Sequence, residues 1–524
     1  MKSMKRISVM LLIVVLALSV FSACGQESPS TGDERDLSED TREETLELTW
    51  WHPLISPNIN SSNDDILAYQ KIQENTNVDI EWIHPTPGSD LEQFNIMLAS
   101  RDYPDIITHN WGRTQGGVTR ALSSGVILQL NDLIDQYAPN YYNLVKDNRA
   151  SMLDDGIRVG FHPPVFDARQ SAFRGLQIRK DWLDTLNLKI PETIDDWYQV
   201  LTAFKNNDLN NTGELDIIPL GDDGGFQLKD LAVAWGVVSN FYIHPDSDKI
   251  EYGPIQPEYK EFLSTLAKWY AEGLIDEEFA AIDGNVYQGK ISGNQTGAYV
   301  HMLSRLQVIP PVGKEHDPNF ELVAAPWPIG PGGKEYSGHP FNEVTAQTIS
   351  ISTNNKYPEE TTKFLDYFYS EEGIDLINWG VEGETYTIVD GQRKYTDLIL
   401  NNPDYPPTSA IMMYAHPTLG FNAPLDYEAQ MQVQTPVQIE AGRIWGGADF
   451  SLLLPVMSLT AEESAKMSTI MSEIDAYKDE MIMKFIMGLE PLEKFDDYVS
   501  QIERMGIDDI TKIQRDAYSR FQAR

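Results

Sequence analysis

The stretch from Leu46 to Thr108 constrains the fold more than any other part of the chain. Glu47 to Trp51 alternates like a strand, and Val78 to Ile83 repeats the pattern. Between them Asn63 stands where it can cap a helix over Asp64 to Glu74, with Ile66, Leu67, Tyr69 and Ile72 near helical spacing. Ser89 is placed to cap a second helix through Leu91, Phe94, Met97 and Leu98, and Asp105 to Thr108 follows as a short apolar strand. Strand, helix, strand, helix, strand with short links requires a largely parallel sheet with helices on its faces. Ligands of such sheets lie beyond the carboxyl ends of the strands. Those ends are Trp51-His52, Trp82-Ile83-His84 and His109-Asn110-Trp111, each with Trp and His close by. Two readings stand side by side: the aromatics plug the top of the core, or they line a ligand site.

The N-terminus says where the chain works. Lys2, Lys5 and Arg6 precede an apolar run from Ile7 to Val20, which ends at Phe21-Ser22-Ala23-Cys24-Gly25. Residues 1–23 read as a secretory signal, too short for a comfortable membrane span. Cys24 is the only cysteine. The ending resembles the bacterial lipobox, with Phe21 where Leu is usual, and the resemblance implies a lipid on Cys24 that anchors the protein without spanning the bilayer, the rival being an ordinary signal cut near Ala23. A lone cysteine leaves no disulfide within the chain, and a body of this size does not need one. Residues 24–45 are acidic with almost nothing apolar to bury, and read as a disordered tether.

The 524 residues exceed one compact core, so two domains are expected. With 79 acidic and 40 basic residues the formal net charge is −39, which argues against nucleic acid and anionic headgroups as partners. A second region opens near Gln177. Asp181-Trp182-Leu183 starts a helix, and Thr193 caps another over Ile194 to Phe204 with Asp196 in a capping-box position. Glu258 to Glu272 and Glu359 to Leu376 read as further amphipathic helices, with a strand at Thr348 to Ser352 and a Pro- and Gly-rich connection over residues 324–342. The chain closes on helices over Glu462 to Met487, Leu492 to Met505 and Ile507 to Phe521; the methionines of the first are core filling.

One segment has metal-ligand spacing. Asp208, Asn210, Thr212 and Asp216 fall at positions one, three, five and nine of an EF-hand-like loop, with Gly213 at six and the Glu214 carbonyl as a fifth oxygen. The twelfth position is Pro219, so the bidentate acid of a true EF-hand is missing. The segment is either a structural calcium site or a bare Asn/Asp/Gly-rich turn. No HExxH, GxSxG, Walker or dinucleotide motif is present, so no catalytic residue is assigned and no organic cofactor is expected. Glu382 and Glu384 beside Trp379 and Tyr386 look site-like, and read equally as a polar loop.

Several segments in shared order resemble the extracellular solute-binding proteins of family 1, in particular the lipoproteins of oligosaccharide ABC importers, including alginate-oligosaccharide binders. They are residues 77–83, 94–100, 104–107, 179–183, 191–198, 378–383, 484–492 and 495–498. The resemblance implies an α/β, two-lobe periplasmic-binding-protein-like fold with a hinge and an interlobe cleft. It implies lobe one over 46–165 plus 325–378 and lobe two over 166–324 plus 379–524. It places Trp51, His52 and Trp111 at the cleft from lobe one, and Trp235, Tyr242, Arg305, Trp379, Glu382 and Tyr386 from lobe two or the hinge. Arg305 is then the partner for a uronate carboxylate, its bland reading being a surface ion pair. The expected function is capture of an oligosaccharide by a monomeric, membrane-anchored lipoprotein on the outer face of the cell membrane, Gram-positive by the resemblance, and delivery to an ABC permease. The rivals are a secreted glycan hydrolase or lyase and a peptide-binding lipoprotein. Family loops carry Asn or Asp where Thr212 stands and Glu where Ile217 stands, which sets this loop apart from its counterparts.

Overall fold

In the computed structural model the alternating strands pair as their apolar spacing requires. The structure describes residues 45–222, 227–280, 284–339, 344, 347–416 and 422–524. The signal, Cys24 and all but the last residue of the tether lie outside the described residues. Twelve strands run through them: β1 Leu46–Trp51, β2 Val78–Ile83, β3 Ile106–His109, β4 Arg174–Arg179, β5 Ile218–Gly221, β6 Phe241–Ile243, β7 Ile250–Tyr252, β8 Thr296–Met302, β9 Leu322–Ala325, β10 Thr348–Ile351, β11 Tyr386–Val389 and β12 Gln392–Tyr395.

They form two four-stranded sheets and two hairpins. The first sheet has the order β10-β3-β1-β2. β1 is parallel to β2, with Leu46 opposite Val78 and Trp51 opposite Ile83, and parallel to β3. β10 closes the edge antiparallel to β3. The second sheet has the order β5-β8-β4-β9, with β5 parallel to β8 and β4 antiparallel to both β8 and β9. β6 pairs with β7, and β11 with β12.

Each sheet is covered on two faces. Trp50, Ile80, Ile106 and Ile349 of the first pack with Tyr69, Ile134, Phe364 and Phe368 from helices. Trp51 and Ile107, pointing the other way, pack with Phe94, Trp111 and Ala121. This is the period-two alternation of a strand buried on both sides. In the second sheet Leu176, Ile178 and Ala298 join a large core with Trp182, Trp197, Phe262 and the C-terminal helices. Tyr299, Leu322 and Ala324 pack on the opposite face with Tyr287, Ile309 and Trp445. The two sheets therefore have separate cores. Between them the chain crosses in two paired segments, with Phe161 bridging Ile349 and Pro164 bridging Val344, and a third time between Ala423, in the first core, and Ala441, in the second.

Two helix assignments are corrected. Asn63 does not cap a helix: Ser62 does, through a capping box with Asp65, and the result is a single 3-10 turn over Asn63–Asp65. Ile66 is extended, and the α-helix begins afresh over Leu67–Thr76. Asn63 is instead buried among polar partners of the first sheet's edge. The helix read over Glu359 to Leu376 is two helices, Pro358–Tyr367 and Glu371–Trp379. Ser370 breaks it because its side chain accepts a hydrogen bond from the Gly373 amide, the geometry of a new N-cap. Elsewhere Thr193 and Asp196 form the expected capping box at the start of Ile194–Lys205.

Candidate ligand site

The carboxyl edge of the first sheet is held by a buried polar network. Asn422 donates to the Tyr69 hydroxyl at 2.6 Å, which leaves its carbonyl for His52 Nε2 at 3.1 Å. His52 Nδ1 lies 2.7 Å from the Pro53 carbonyl, which can only accept, and 3.0 Å from the Asn63 amide nitrogen, so both ring nitrogens are held by polar partners. His84 Nδ1 donates to the His52 carbonyl at 2.8 Å, and its Nε2 accepts from the Asn63 backbone at 3.1 Å. Burial pushes His52 down to about 4 and also lowers His84. His416, buried beside Tyr69, is pushed down to about 3 by desolvation and then by His52. All three imidazoles are shifted towards the neutral form, so the network orients loops and carries no charge.

The residues anticipated from the sequence fall into different places. Trp51 and Trp111 are buried in the core behind the first sheet, each against Phe94. Trp111 Nε1 is buried without a hydrogen-bond partner among the described residues. Trp235 and Tyr242 are buried in the large core of the second sheet, Trp235 against Phe262. Trp379 and Tyr386 pack together with ring centroids 5.9 Å apart, and Trp379 donates to Asp426 at 2.8 Å. Glu382 is exposed in the adjoining loop, on a 430 Å³ cavity that Asp375 and Tyr386 also line. Arg305 opens the helix Arg305–His316 just after β8, half-buried, with Nε lacking a hydrogen-bond partner among the described residues. The structure brings together Trp51 with Trp111, and Trp379 with Glu382 and Tyr386.

Sequence reasoning missed the wall at the edge of the second sheet where β5 and β8 end. Register places Arg174 opposite Met302, so the start of antiparallel β4 lies at that edge. Phe173, just before it, is 48% exposed and Met302 is 51% exposed, two large apolar side chains presented to solvent. Phe173 meets His339 edge-on at 4.1 Å between centroids. Arg174 is bonded to Asp230 and Gln227, on the 3-10 segment Gln227–Trp235. That segment is pinned by Asp222, which accepts from the Leu228 amide at 2.8 Å. Burial and then Arg174 hold His339 down to about 4, neutral at pH 7. An exposed aromatic face flanked by a fixed ion pair and a neutral imidazole supplies stacking area and directional hydrogen bonding, the combination that suits flat amphipathic ligands. The only sequence signal for it was Phe173-Arg174 ahead of a strand.

The EF-hand-like segment is a tight exposed loop anchored by buried Leu209 and Ile217. Asp208 accepts from the Thr212 and Gly213 amides at 3.0 and 2.9 Å. Thr212 Oγ1 lies 3.2 Å from Asn210 Oδ1, 3.4 Å from the Glu214 carbonyl and 3.0 Å from Asp216 Oδ1. Asp216 is held below the usual carboxylate range, first by the Asn210 amide. Hard oxygens thus converge, which fits calcium chemistry. Two carboxylates supply the charge, and no cluster of three or more acidic, His or Cys ligands occurs among the described residues.

Two doubly covered α/β sheets, joined by paired crossing segments, are the architecture of the two-lobed periplasmic-type binding proteins. The chain belongs to the bacterial extracellular solute-binding protein family, whose model matches residues 60–375. It is 25% identical to the fructooligosaccharide ABC transporter substrate-binding protein FusA of Streptococcus pneumoniae serotype 4, over 98% of this chain and 97% of that one. It is 25% identical to the polygalacturonan/rhamnogalacturonan-binding protein YtcQ of Bacillus subtilis, over 72% and 74% of the two chains. Among solved structures, the alginate-binding protein AlgQ2 without calcium ion matches with a TM-score of 0.72 and 26% identity, over 91% of this chain and 98% of that one. These relatives are named as binding proteins. No helix of the described residues is long and apolar enough to cross a membrane.

Proposed function

We propose that the protein is the membrane-anchored substrate-binding component of an ABC importer, which captures an oligosaccharide between two lobes and hands it to a permease. Lobe one is read as residues 46–165 plus 325–378 and lobe two as residues 166–324 plus 379–524, with Met412, His416, Asn422 and Ala423 of the second set packing back against the first sheet. The observation that carries the reading is the exposed Phe173 and Met302 beside the Arg174–Asp230 pair, at the sheet edge next to the chain crossings. Sugar rings offer an apolar face to such a surface and hydroxyls to its charged flank. Family membership and the glycan-binding names of the relatives support the ligand class. Arg305 is the candidate partner for a uronate carboxylate. Trp51, His52 and Trp111 lie behind the carboxyl edge of the first sheet, Trp235 and Tyr242 back the wall on the second, and Trp379, Glu382 and Tyr386 adjoin the helix Glu371–Trp379, whose Leu376 and Ile377 pack in the first sheet's core.

The oxygens of Asp208, Asn210, Thr212, Glu214 and Asp216 would hold calcium, which would tie the loop's ends together. A lipid on Cys24 and the acidic tether would keep the folded body at the outer face of the membrane. The test is a thermal shift of the protein from residue 45 onward, against neutral and uronate-containing oligosaccharides with and without calcium. A ligand that binds only the native state raises the midpoint, so one sugar class should stabilise the protein by several degrees. Silence across a broad glycan panel, with a response to peptides or product formation from polysaccharides, would overturn the reading.

A further inference from the structure

A cluster of charges joins the two cores outside the crossing segments themselves. Arg520, on the C-terminal helix Ile507–Ala523, spreads its guanidinium between two carboxylates. Its Nε donates to Asp154 at 2.5 Å, and its Nη1 and Nη2 to Glu463 at 3.0 and 2.6 Å. Arg524 adds a second fork on Asp154, from Nη2 at 2.8 Å and Nε at 3.2 Å. Its Nη1 donates to the carbonyls of Arg149 and Met152 at 3.0 and 2.6 Å. Arg149 returns a bond to the Gln522 carbonyl at 3.2 Å. The partners belong to different bodies. Leu153 and Ile157, flanking Asp154, pack on the core of the first sheet. Ile507, Ile510 and Ile513 of the C-terminal helix, and Ile474 of the helix bearing Glu463, pack in the core of the second. Thr119 Oγ1 donates to the Leu459 carbonyl at 2.7 Å, a further link between the same two bodies.

We propose that this cluster is a non-covalent pivot between the lobes: it stays formed as they open and close, and with the paired crossings it fixes the axis of their rotation. The inference rests on the two-lobe binding reading. Two attachments confine relative motion to rotation about the line that joins them, whereas the flexible crossings alone allow twist and splay. The cluster is built to persist. Arg524 has a side chain only 3% exposed, and Asp154 and Glu463 are 23% and 18% exposed. Parting the lobes here would leave buried guanidinium N–H groups and two backbone carbonyls without partners. Asp154 lies just ahead of Phe161 in the chain, so the pivot feeds directly into the first crossing.

The test reads lobe geometry without any ligand. Spin labels on Glu92→Cys and Lys189→Cys, in a full-length Cys24→Ser background, report the distance between the two bodies. Asp154→Asn and Arg520→Gln should each broaden the ligand-free distance distribution about two-fold while preserving secondary structure. Raising unsubstituted labelled protein to about 1 M salt, where the Debye length is ~3 Å, should broaden it reversibly but less than the substitutions do, because partly buried pairs are screened less. This measurement needs no variant to fold. Unchanged widths in the variants and in high salt, with only a lower melting temperature, would overturn the pivot and leave the cluster as a structural ion pair. Failure of the glycan reading leaves this result intact, because no sugar enters the measurement.

Discussion

The exposed ring of Phe173 meets the imidazole of His339 edge-on, 4.1 Å between centroids, where two of the segments that cross between the sheets meet the second one. Phe173 is poorly buried by its own chain, so truncating it exposes little and removes a contact face. Phe173→Ala should change unfolding free energy by less than about 0.5 kcal/mol, as at other surface positions. It should weaken binding of the oligosaccharide that stabilises the parent protein by roughly ten-fold or more, the loss expected for an aromatic stacking platform. Calorimetric titration decides it: equal affinity in the two proteins removes Phe173 from the site.

Calcium is tested separately. Asp216→Asn keeps the shape of the loop and removes one of its two carboxylates. If the loop takes calcium, millimolar calcium should raise the melting temperature of the parent protein by several degrees, and the variant should lose most of that gain. Chelation should reverse the gain in the parent only. Identical melting curves with and without calcium would make the segment a self-bonded turn, held by Asp208 on the Thr212 and Gly213 amides.

The elements read most easily were those whose pattern is local. Val78 to Ile83 alternates, and the strand has those bounds; Thr193 and Asp196 announce their helix by a capping box. Asn63 misled because Ser62, one residue earlier, has Asp65 in the capping-box position and so wins the N-cap. Ser370 was invisible because apolar spacing runs on through residues 359–376 as if unbroken. The wall proposed to meet the ligand was hidden for a topological reason. Looking beyond strand carboxyl ends finds Trp51 and Trp111, which the structure buries, but passes over Phe173, which lies at the amino end of antiparallel β4. Only pairing, which sequence does not display, brings that end beside Met302.

Buried neutral histidines set an acid limit on stability. Burial lowers His52 and His109 to about 4 and His416 to about 3, from an ordinary value near 6.5. The folded state therefore binds fewer protons than the unfolded chain between roughly pH 6.5 and pH 4. Their contribution to stability is fully present above pH 6.5 and is lost progressively as pH falls towards the folded values. The melting temperature should be flat with respect to these groups above pH 7 and drop by several degrees between pH 6.5 and 4.5. His416→Gln should shrink that slope, and a slope identical to the parent's would show that His416 titrates normally in the fold.

The last prediction concerns the strand that carries the proposed ligand wall. Gly175 follows Arg174 in β4, opposite His301 of β8. A Cβ there would come within 2.3 Å of Cε2 of the buried Trp445 ring. That indole is fixed by its own hydrogen bond to the Ala325 carbonyl of β9, at 3.0 Å, and cannot step aside without breaking it. Gly175→Ala should therefore destabilise the protein by about 1–3 kcal/mol, the usual cost of overpacking a core. The strain would be relieved by moving β4, and Arg174 and Phe173 move with it. The variant should thus lose affinity for its oligosaccharide as well as stability, whereas Phe173→Ala loses affinity alone. Measuring unfolding and binding on both separates a contact from the frame that holds it; a Gly175→Ala protein with parental stability would show that the indole has room the geometry denies it.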